Sequence, residues 1–411
     1  MQLEEWLESK QGQVFQYKME KIRYALDLLG NPEGNLPIIH VAGTNGKGST
    51  IAFMNQLLQS QGLRVGTFVS PHMVSVHDRI CINNQPIADE HYRQLLEQIL
   101  DLEQEVARVY EPFRYFEVMV LMMFLYFKDK ALDVVLLEVG IGGLLDTTNV
   151  VDPLVSVIST VGMDHQDLLG SSLGEIAEQK AGIIKPKRPV VLGPVRPEVL
   201  EICQRKAEQA GAPLYRSGWE FQLEEGRFEN GSLALDALEL GLAGRHQEEN
   251  AAVALQAFWL FMQASEREID REKAKQALAQ TRWAGRLEQV SQRPTIFLDG
   301  AHNVPAVERL VAHIQNQREQ DVTILFSALK RKDFKEMLEL IQRELPKANL
   351  LLTSFAYDGA ISDEDGLAGS TYVADYQAFL KEWRKKGVGS LYITGSLYFI
   401  SQVRRLFEHK Y

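Results

Sequence analysis

Residues 38–50 read IIHVAGTNGKGST, an apolar β-branched run that breaks into a glycine-rich turn and then into a helical pattern. Few local sequences restrict a fold as tightly. Glycines at such a turn let backbone N–H groups converge on phosphate oxygens at a helix N-terminus, and Lys47 adds a positive charge. Gly43 and Gly46 stand closer together than the glycines of the usual GxxxxGK[ST] loop, so this is a variant of it. The segment predicts an α/β fold that binds a nucleotide. It does not by itself separate a ligase from a hydrolase, a kinase or a nucleotide-gated switch.

The rest of the chain continues the alternation of short apolar runs with longer amphipathic stretches, which predicts parallel sheets covered by helices. Strands are expected at 38–42, 134–139, 154–159 and 189–192, with helices at 55–61, 90–110 and 173–181 between them. A second series begins near Thr295, with strands at 296–299, 322–327, 349–353 and 390–394 and a helix at 305–315. At 411 residues and 45% hydrophobic content the chain exceeds one ordinary domain. The polar run Gln289 to Pro294 is where a boundary is expected, giving domains 1–293 and 294–411, with a substrate cleft between them.

Charge and cysteine content exclude other classes. A formal net charge of −11 opposes non-specific attraction to nucleic acid or to an anionic membrane. The opening MQLEEWLESK is acidic where an export signal would be basic, and the longest apolar run, Val118 to Phe127, is too short to span a bilayer. Cys81 and Cys203 are too few for a disulfide framework or a thiolate zinc site. A soluble cytoplasmic protein is expected.

Two further segments place acids at strand ends. In VVLLEVGIGG, Glu138 ends an apolar run and precedes three glycines, which suits Mg²⁺ beside a phosphate loop. In STVGMDHQDLLG, Asp164 and His165 follow another apolar run, and Lys180 lies on the helical pattern beyond.

Taken in order, HVAGTNGKGS (40–49), SPH (70–72), DRI (78–80), FE (116–117), EVGIGG (138–143), LDTTNV (145–150), DH (164–165), IAEQKAGIIK (176–185), GRHQEENAAVA (244–254), WAGRLE (283–288), DGAHN (299–303), KRKD (330–333) and GSLY (395–398) resemble folylpolyglutamate synthase and its bifunctional dihydrofolate synthase form, within the Mur ligase superfamily. The resemblance implies a P-loop-containing, Mur-ligase-like central domain followed by a smaller C-terminal Rossmann-like α/β domain. It implies ATP-dependent addition of L-glutamate to tetrahydrofolate and, in the bifunctional form, to dihydropteroate, through an acyl phosphate. Gly43, Thr44, Asn45, Gly46, Lys47, Gly48 and Ser49 would hold ATP, with Asn250 on the nucleotide, Arg286 on its phosphates and Asp299 on its ribose. Ser70, Glu138, His165 and a carbamylated Lys180 would organise two Mg²⁺ ions. Lys47, Glu138, His165, Lys180, Arg286 and His302 would serve catalysis, and Phe116, Glu117, Leu145, Asp146 and Thr147 would line the pterin or pteroate pocket. A monomer is the family expectation, and the net charge argues against nucleic-acid and membrane partners.

Three positions depart from the family pattern: Leu144 replaces an arginine, Val120 a threonine and Gln179 a glutamate. They keep open a second reading, a Mur-type amide ligase acting on another carboxylate. A nonenzymatic ATP-gated binding protein would have no need of Arg286, Asp299 and His302.

Overall fold

The structure is a computed structural model that describes residues 3–10, 18–317, 319, 321–330 and 332–407. It divides into two compact units, Met1–Gly241 with Glu248–Thr281, and Leu242–Gln247 with Arg282–Tyr411.

The first unit is built on β1 (Ile38–Ala42), β2 (Val65–Phe68), β3 (Ile80–Ile82), β4 (Gln85–Pro86), β5 (Val134–Glu138), β6 (Val155–Ile158), β7 (Val190–Leu192) and β8 (Leu214–Arg216). They form one sheet in the order β4-β3-β2-β5-β1-β6-β7-β8. From β2 through β8 neighbouring strands are parallel, and β3 and β4 turn back antiparallel at one edge. Every residue of β1 and β5 is buried, which is why these strands read as continuous apolar runs rather than alternating ones. The helix Lys47–Ser60 follows β1 directly and starts eight residues earlier than its apolar pattern suggests.

Val118 to Phe127 belongs to the helix Tyr115–Phe127, apolar all round because it is enclosed by Ile22, Leu26, Phe68, Leu96, Ile99 and Phe113 in one core. Among the described residues no helix is long and apolar enough to cross a membrane. A small antiparallel sheet of β9 (Gln222–Glu224), β10 (Arg227–Glu229) and β11 (Ala234–Leu235) completes this unit's strands.

The second unit carries β12 (Glu288–Gln292), β13 (Thr295–Leu298), β14 (Val322–Phe326), β15 (Asn349–Thr353), β16 (Thr371–Val373) and β17 (Ser390–Thr394), ordered β12-β13-β17-β14-β15-β16. All pairs are parallel except β12 with β13. Its core packs Val307, Ile324, Phe326, Met337, Ile341 and Leu352 between sheet and helices. The expected boundary at 293/294 falls inside the β12–β13 hairpin, where Gln292 pairs with Thr295, whereas the compact units divide at Thr281/Arg282. Polar residues before a proline mark an exposed turn of either kind, and here the turn joins two paired strands. Arg331 of the KRKD motif lies outside the described residues.

Candidate active site

Since β2, β5, β1 and β6 are adjacent and parallel, the segments that leave them emerge on one edge of the sheet. The segment leaving β1 turns through Gly46, in the left-handed region at φ 87°, which is the N-cap of the helix Lys47–Ser60 and provides no side chain to cap it. The first N–H groups of that helix are therefore available to an anion. A Cβ on Gly46 would lie 2.3 Å from Asn250 Oδ1, and one on Gly43 would lie 2.0 Å from Ser159 Oγ. Thr44 N donates to Thr160 O (2.8 Å), Asn45 N to Thr160 Oγ1 (3.0 Å) and Ser159 Oγ to Asn45 O (2.8 Å), which latches the turn to the segment leaving β6. Lys47 Nζ folds back over the turn and donates to Gly43 O at 3.0 Å. Gly48 and Ser49 are buried in the first helical turn.

Glu138 ends β5, and its Oε2 accepts the backbone N–H of Ser70 at 2.8 Å, so two expected metal ligands meet across adjoining strand ends. Beyond β6, His165 N donates to Asp164 Oδ1 at 2.9 Å, and its ring Nε2 stands 3.8 Å from Asp164 Oδ2. Lys180, on the helix Leu173–Ala181, is only 3% exposed. Burial, and then the positive charge of Lys47, lower its pKa to about 7, while Asp164 and Asp146 act in the opposite sense. Lys47, Lys180, Asp164 and Asp146 thus share one electrostatic environment. No cluster of three His, Cys, Asp or Glu side chains suited to a metal occurs among the described residues. One carboxylate beside a serine fits Mg²⁺, which completes its shell with water and phosphate oxygens rather than with a protein cage.

Phe116 packs on Phe68 (5.9 Å between ring centroids) and over Gly140, where a Cβ would stand 2.6 Å from the ring. Glu117 points elsewhere. It is fully buried, its Oε2 pairs with Lys21 Nζ at 2.7 Å and also accepts Arg114 N at 2.8 Å, so the structure places it in the core. Asp146, fully buried, accepts Ile141 N (2.9 Å), Thr148 N (2.9 Å) and Thr148 Oγ1 (2.6 Å), and burial raises its pKa. Thr147 is buried beside it, whereas Leu145 is 51% exposed and Leu144 42%.

Sequence reasoning missed His40. Its Nε2 meets Thr148 Oγ1 at 2.8 Å, and because that hydroxyl donates to Asp146, His40 is the donor. Burial, helped by the charge of Lys185, holds its pKa down at about 3, so the ring is neutral. A histidine inside an otherwise apolar strand was the available signal. Of Ser159 and Thr160, which latch the phosphate turn, Ser159 was legible only as the end of a strand and Thr160 lay just beyond it.

In the second unit, Asp299 follows β13 and accepts Leu287 N (2.9 Å) and Ala301 N (3.0 Å). Burial raises its pKa and the Arg286 charge opposes the rise. Arg286 Nη1 donates to Gly285 O at 3.1 Å and lies where a Cβ on Gly300 would be 2.3 Å away. His302 Nδ1 is 2.7 Å from Gly300 O. A carbonyl only accepts, so Nδ1 carries the proton and Nε2 is the basic nitrogen. Arg286, Asp299 and His302 therefore form one cluster, and Asn250 belongs with the phosphate turn of the first unit.

Residues 41–258 match the Mur ligase middle domain. The dihydrofolate synthase/folylpolyglutamate synthase of Bacillus subtilis (strain 168) is 35% identical over 410 residues, covering 94% of each chain. A solved complex of a folylpolyglutamate synthase with AMPPCP and folate superposes with a TM-score of 0.86 at 29% identity, over 99% of both chains. A bifunctional folylpolyglutamate synthase/dihydrofolate synthase with Mn, AMPPNP and L-glutamate bound gives 0.87 at 27% identity, over 99% of this chain and 98% of that one. With its phosphate turn, strand-end acid and DGAHN cluster in the positions described, the chain belongs to the folylpolyglutamate synthase and dihydrofolate synthase family of Mur-type ligases.

Proposed function

We propose that this protein uses ATP and Mg²⁺ to join L-glutamate to the γ-carboxylate of tetrahydrofolate and its polyglutamates, and to dihydropteroate. The observation that carries the reading is the adjacency, on one sheet edge, of an anion-binding turn with Lys47 and the Glu138–Ser70 contact. A carboxylate is a poor electrophile, so its oxygen must first bond to the γ-phosphorus as the bond from that phosphorus to the β-phosphate oxygen breaks, releasing ADP. Two anions approach in that step, and Lys47, the turn N–H groups and Arg286 are assigned to offset their repulsion. The amine of glutamate then attacks the acyl carbon, loses a proton, and phosphate departs with its bridging oxygen. Bound Mg²⁺ supplies charge neutralisation at the phosphates, and Glu138, Ser70 and His165 are the residues assigned to hold it. Asn250 and Asp299 are assigned to the nucleotide, His302 to the reacting end, and Phe116, Leu145, Asp146 and Thr147 to the pterin side. Glu117 is assigned to support Phe116 from the core.

Lys180 is assigned as a carbamate. A pKa near 7 leaves much of the amine neutral at physiological pH, and a neutral Nζ is the form that bonds to CO₂, shedding a proton. The product is an anion close to Asp164, able to help hold the second cation. Labelled bicarbonate is expected to give a ¹³C carbamate resonance that Lys180→Ala lacks. The function itself is tested by a panel of dihydropteroate, tetrahydrofolate, its polyglutamates and a UDP-muramoyl acid, with product mass analysis. ADP release that needs both glutamate and a folate is the expected result, and ADP release indifferent to both overturns the reading. The chain is read as a cytoplasmic monomer, which sedimentation checks in part.

A further inference from the structure

Arg79 is a buried cation, 7% exposed, in a part of the first unit for which no role has been given above. Its carbonyl accepts Val69 N at 3.0 Å, so it lies alongside the end of β2, one residue from the Ser70 that touches Glu138. Its Nε donates to His72 Nδ1 at 3.1 Å, and its guanidinium stacks over the Tyr115 ring at 5.4 Å. Neither contact neutralises the charge. Among the described residues no carboxylate stands within 4 Å of its nitrogens, and the acids nearby are otherwise engaged. Asp78 Oδ2 accepts Ser75 N (2.9 Å) and Val74 N (3.2 Å), Asp89 pairs with Arg93 (2.8 Å) and faces His77 (3.4 Å), and Glu4 pairs with Arg93 (2.9 Å).

A second group in the same place also lacks a partner. Tyr92 is 4% exposed and its hydroxyl, close enough to feel the Arg79 charge, is buried without a hydrogen-bond partner among the described residues. A guanidinium with most of its five donors unspent and a phenol in need of an acceptor call for the same thing, an anion with more than one oxygen.

We propose that Arg79, oriented by His72 and assisted by Tyr92, binds the α-carboxylate of the glutamyl group whose γ-carboxylate is activated. The proposal rests on the folate-ligase reading and names a specificity element within it. A folate glutamyl substrate carries two carboxylates, of which only one is phosphorylated, and the other needs a cation that does not compete for phosphate. The Nη end of a guanidinium matches a carboxylate fork, and Tyr115, over which that guanidinium lies, brings aromatic surface for the aryl part of the ligand. Dihydropteroate has no α-carboxylate and should not engage Arg79.

The test is equilibrium binding, in the presence of AMPPCP and Mg²⁺, of tetrahydrofolate monoglutamate and of its α-carboxamide. Wild type is expected to favour the acid by about tenfold or more. Arg79→Gln is expected to remove that preference by weakening the acid alone, Arg79→Lys to restore part of it, and KM for ATP to stay unchanged. Equal weakening of both ligands by Arg79→Gln, or a rise confined to the KM of free glutamate, overturns the proposal. So does a wild type that binds acid and amide alike, a result that requires no variant to fold. A wild type that binds neither folate yet ligates another acid overturns the folate reading as well, and is recognised by the substrate panel.

Discussion

At the scale of single residues, two glycines with similar backbone angles separate conformational strain from function. Gly46 (φ 87°) faces Asn250, whereas Gly62 (φ 81°) has nothing within 4 Å of where a Cβ would stand. Placing an L side chain in the left-handed region costs roughly 1–2 kcal/mol at either position. Gly62→Ala is expected to lose about that much in urea unfolding with KM for ATP unchanged, whereas Gly46→Ala is expected to lose it and to raise KM for ATP by about tenfold or more. If Lys47 and Glu138 act as proposed, Lys47→Ala and Glu138→Ala each remove charge stabilisation of phosphoryl transfer, and each is expected to lower ligation by about 100-fold or more with unaltered circular dichroism. His40 sets a pH dependence. Its folded pKa of about 3 lies below the ordinary 6.5, so the unfolded chain binds the proton first as pH falls. The associated stability is complete above pH 6.5 and lost progressively toward pH 3, by on the order of 5 kcal/mol in total. Urea titrations between pH 7.5 and 4 are expected to show a shallower decline in His40→Gln than in wild type.

At the scale of elements, the ion pair between Lys21, on the helix Met19–Leu28, and Glu117, on Tyr115–Phe127, binds two helices through the core. Lys21→Met strands a buried carboxylate and is expected to destabilise by about 3–5 kcal/mol, while Lys21→Met with Glu117→Leu, of similar volume and without charge, is expected to recover much of that. Chemical denaturation of the two variants and wild type measures the difference. The pair also marks where local sequence stops being informative. FE at 116–117 resembles a family pocket segment, yet helical geometry turns neighbouring side chains about 100° apart, so Phe116 faces Gly140 while Glu117 faces the core. Strands β15 and β17 were legible to the residue because parallel strands covered on both faces are built on short unbroken apolar runs, here LLL and LYI. The small β9–β11 sheet was not legible, since its short strands QLE, RFE and AL carry almost no periodicity. The helix Lys47–Ser60 was placed late because its first turn, KGST, carries no apolar side chain.

At the scale of the whole molecule, each unit has its own sheet and its own apolar core, and the nucleotide is assigned to residues of both. The phosphate turn, Glu138, Ser70 and Lys180 all belong to the first unit. A ligand that binds only the native form stabilises it by RT ln(1 + [L]/Kd), about 2.7 kcal/mol at a hundredfold excess over Kd. Mg²⁺ with AMPPCP at that excess is therefore expected to raise the melting temperature of the first unit by several degrees, given roughly 2–4 °C per kcal/mol for a body of this size. AMPPCP with EDTA is expected to give less, because the phosphates then meet Glu138 without an intervening cation. Lys47→Ala is expected to abolish most of the shift while keeping the unliganded transition, since among the described residues Lys47 donates only to carbonyls of its own turn, Gly43 and Thr44. Differential scanning calorimetry of wild type and Lys47→Ala, each unliganded, with Mg²⁺ and AMPPCP, and with AMPPCP and EDTA, measures these states. An equal nucleotide-induced shift in both proteins would move the phosphate site away from the turn, and with it the chemistry assigned to the surrounding strand ends.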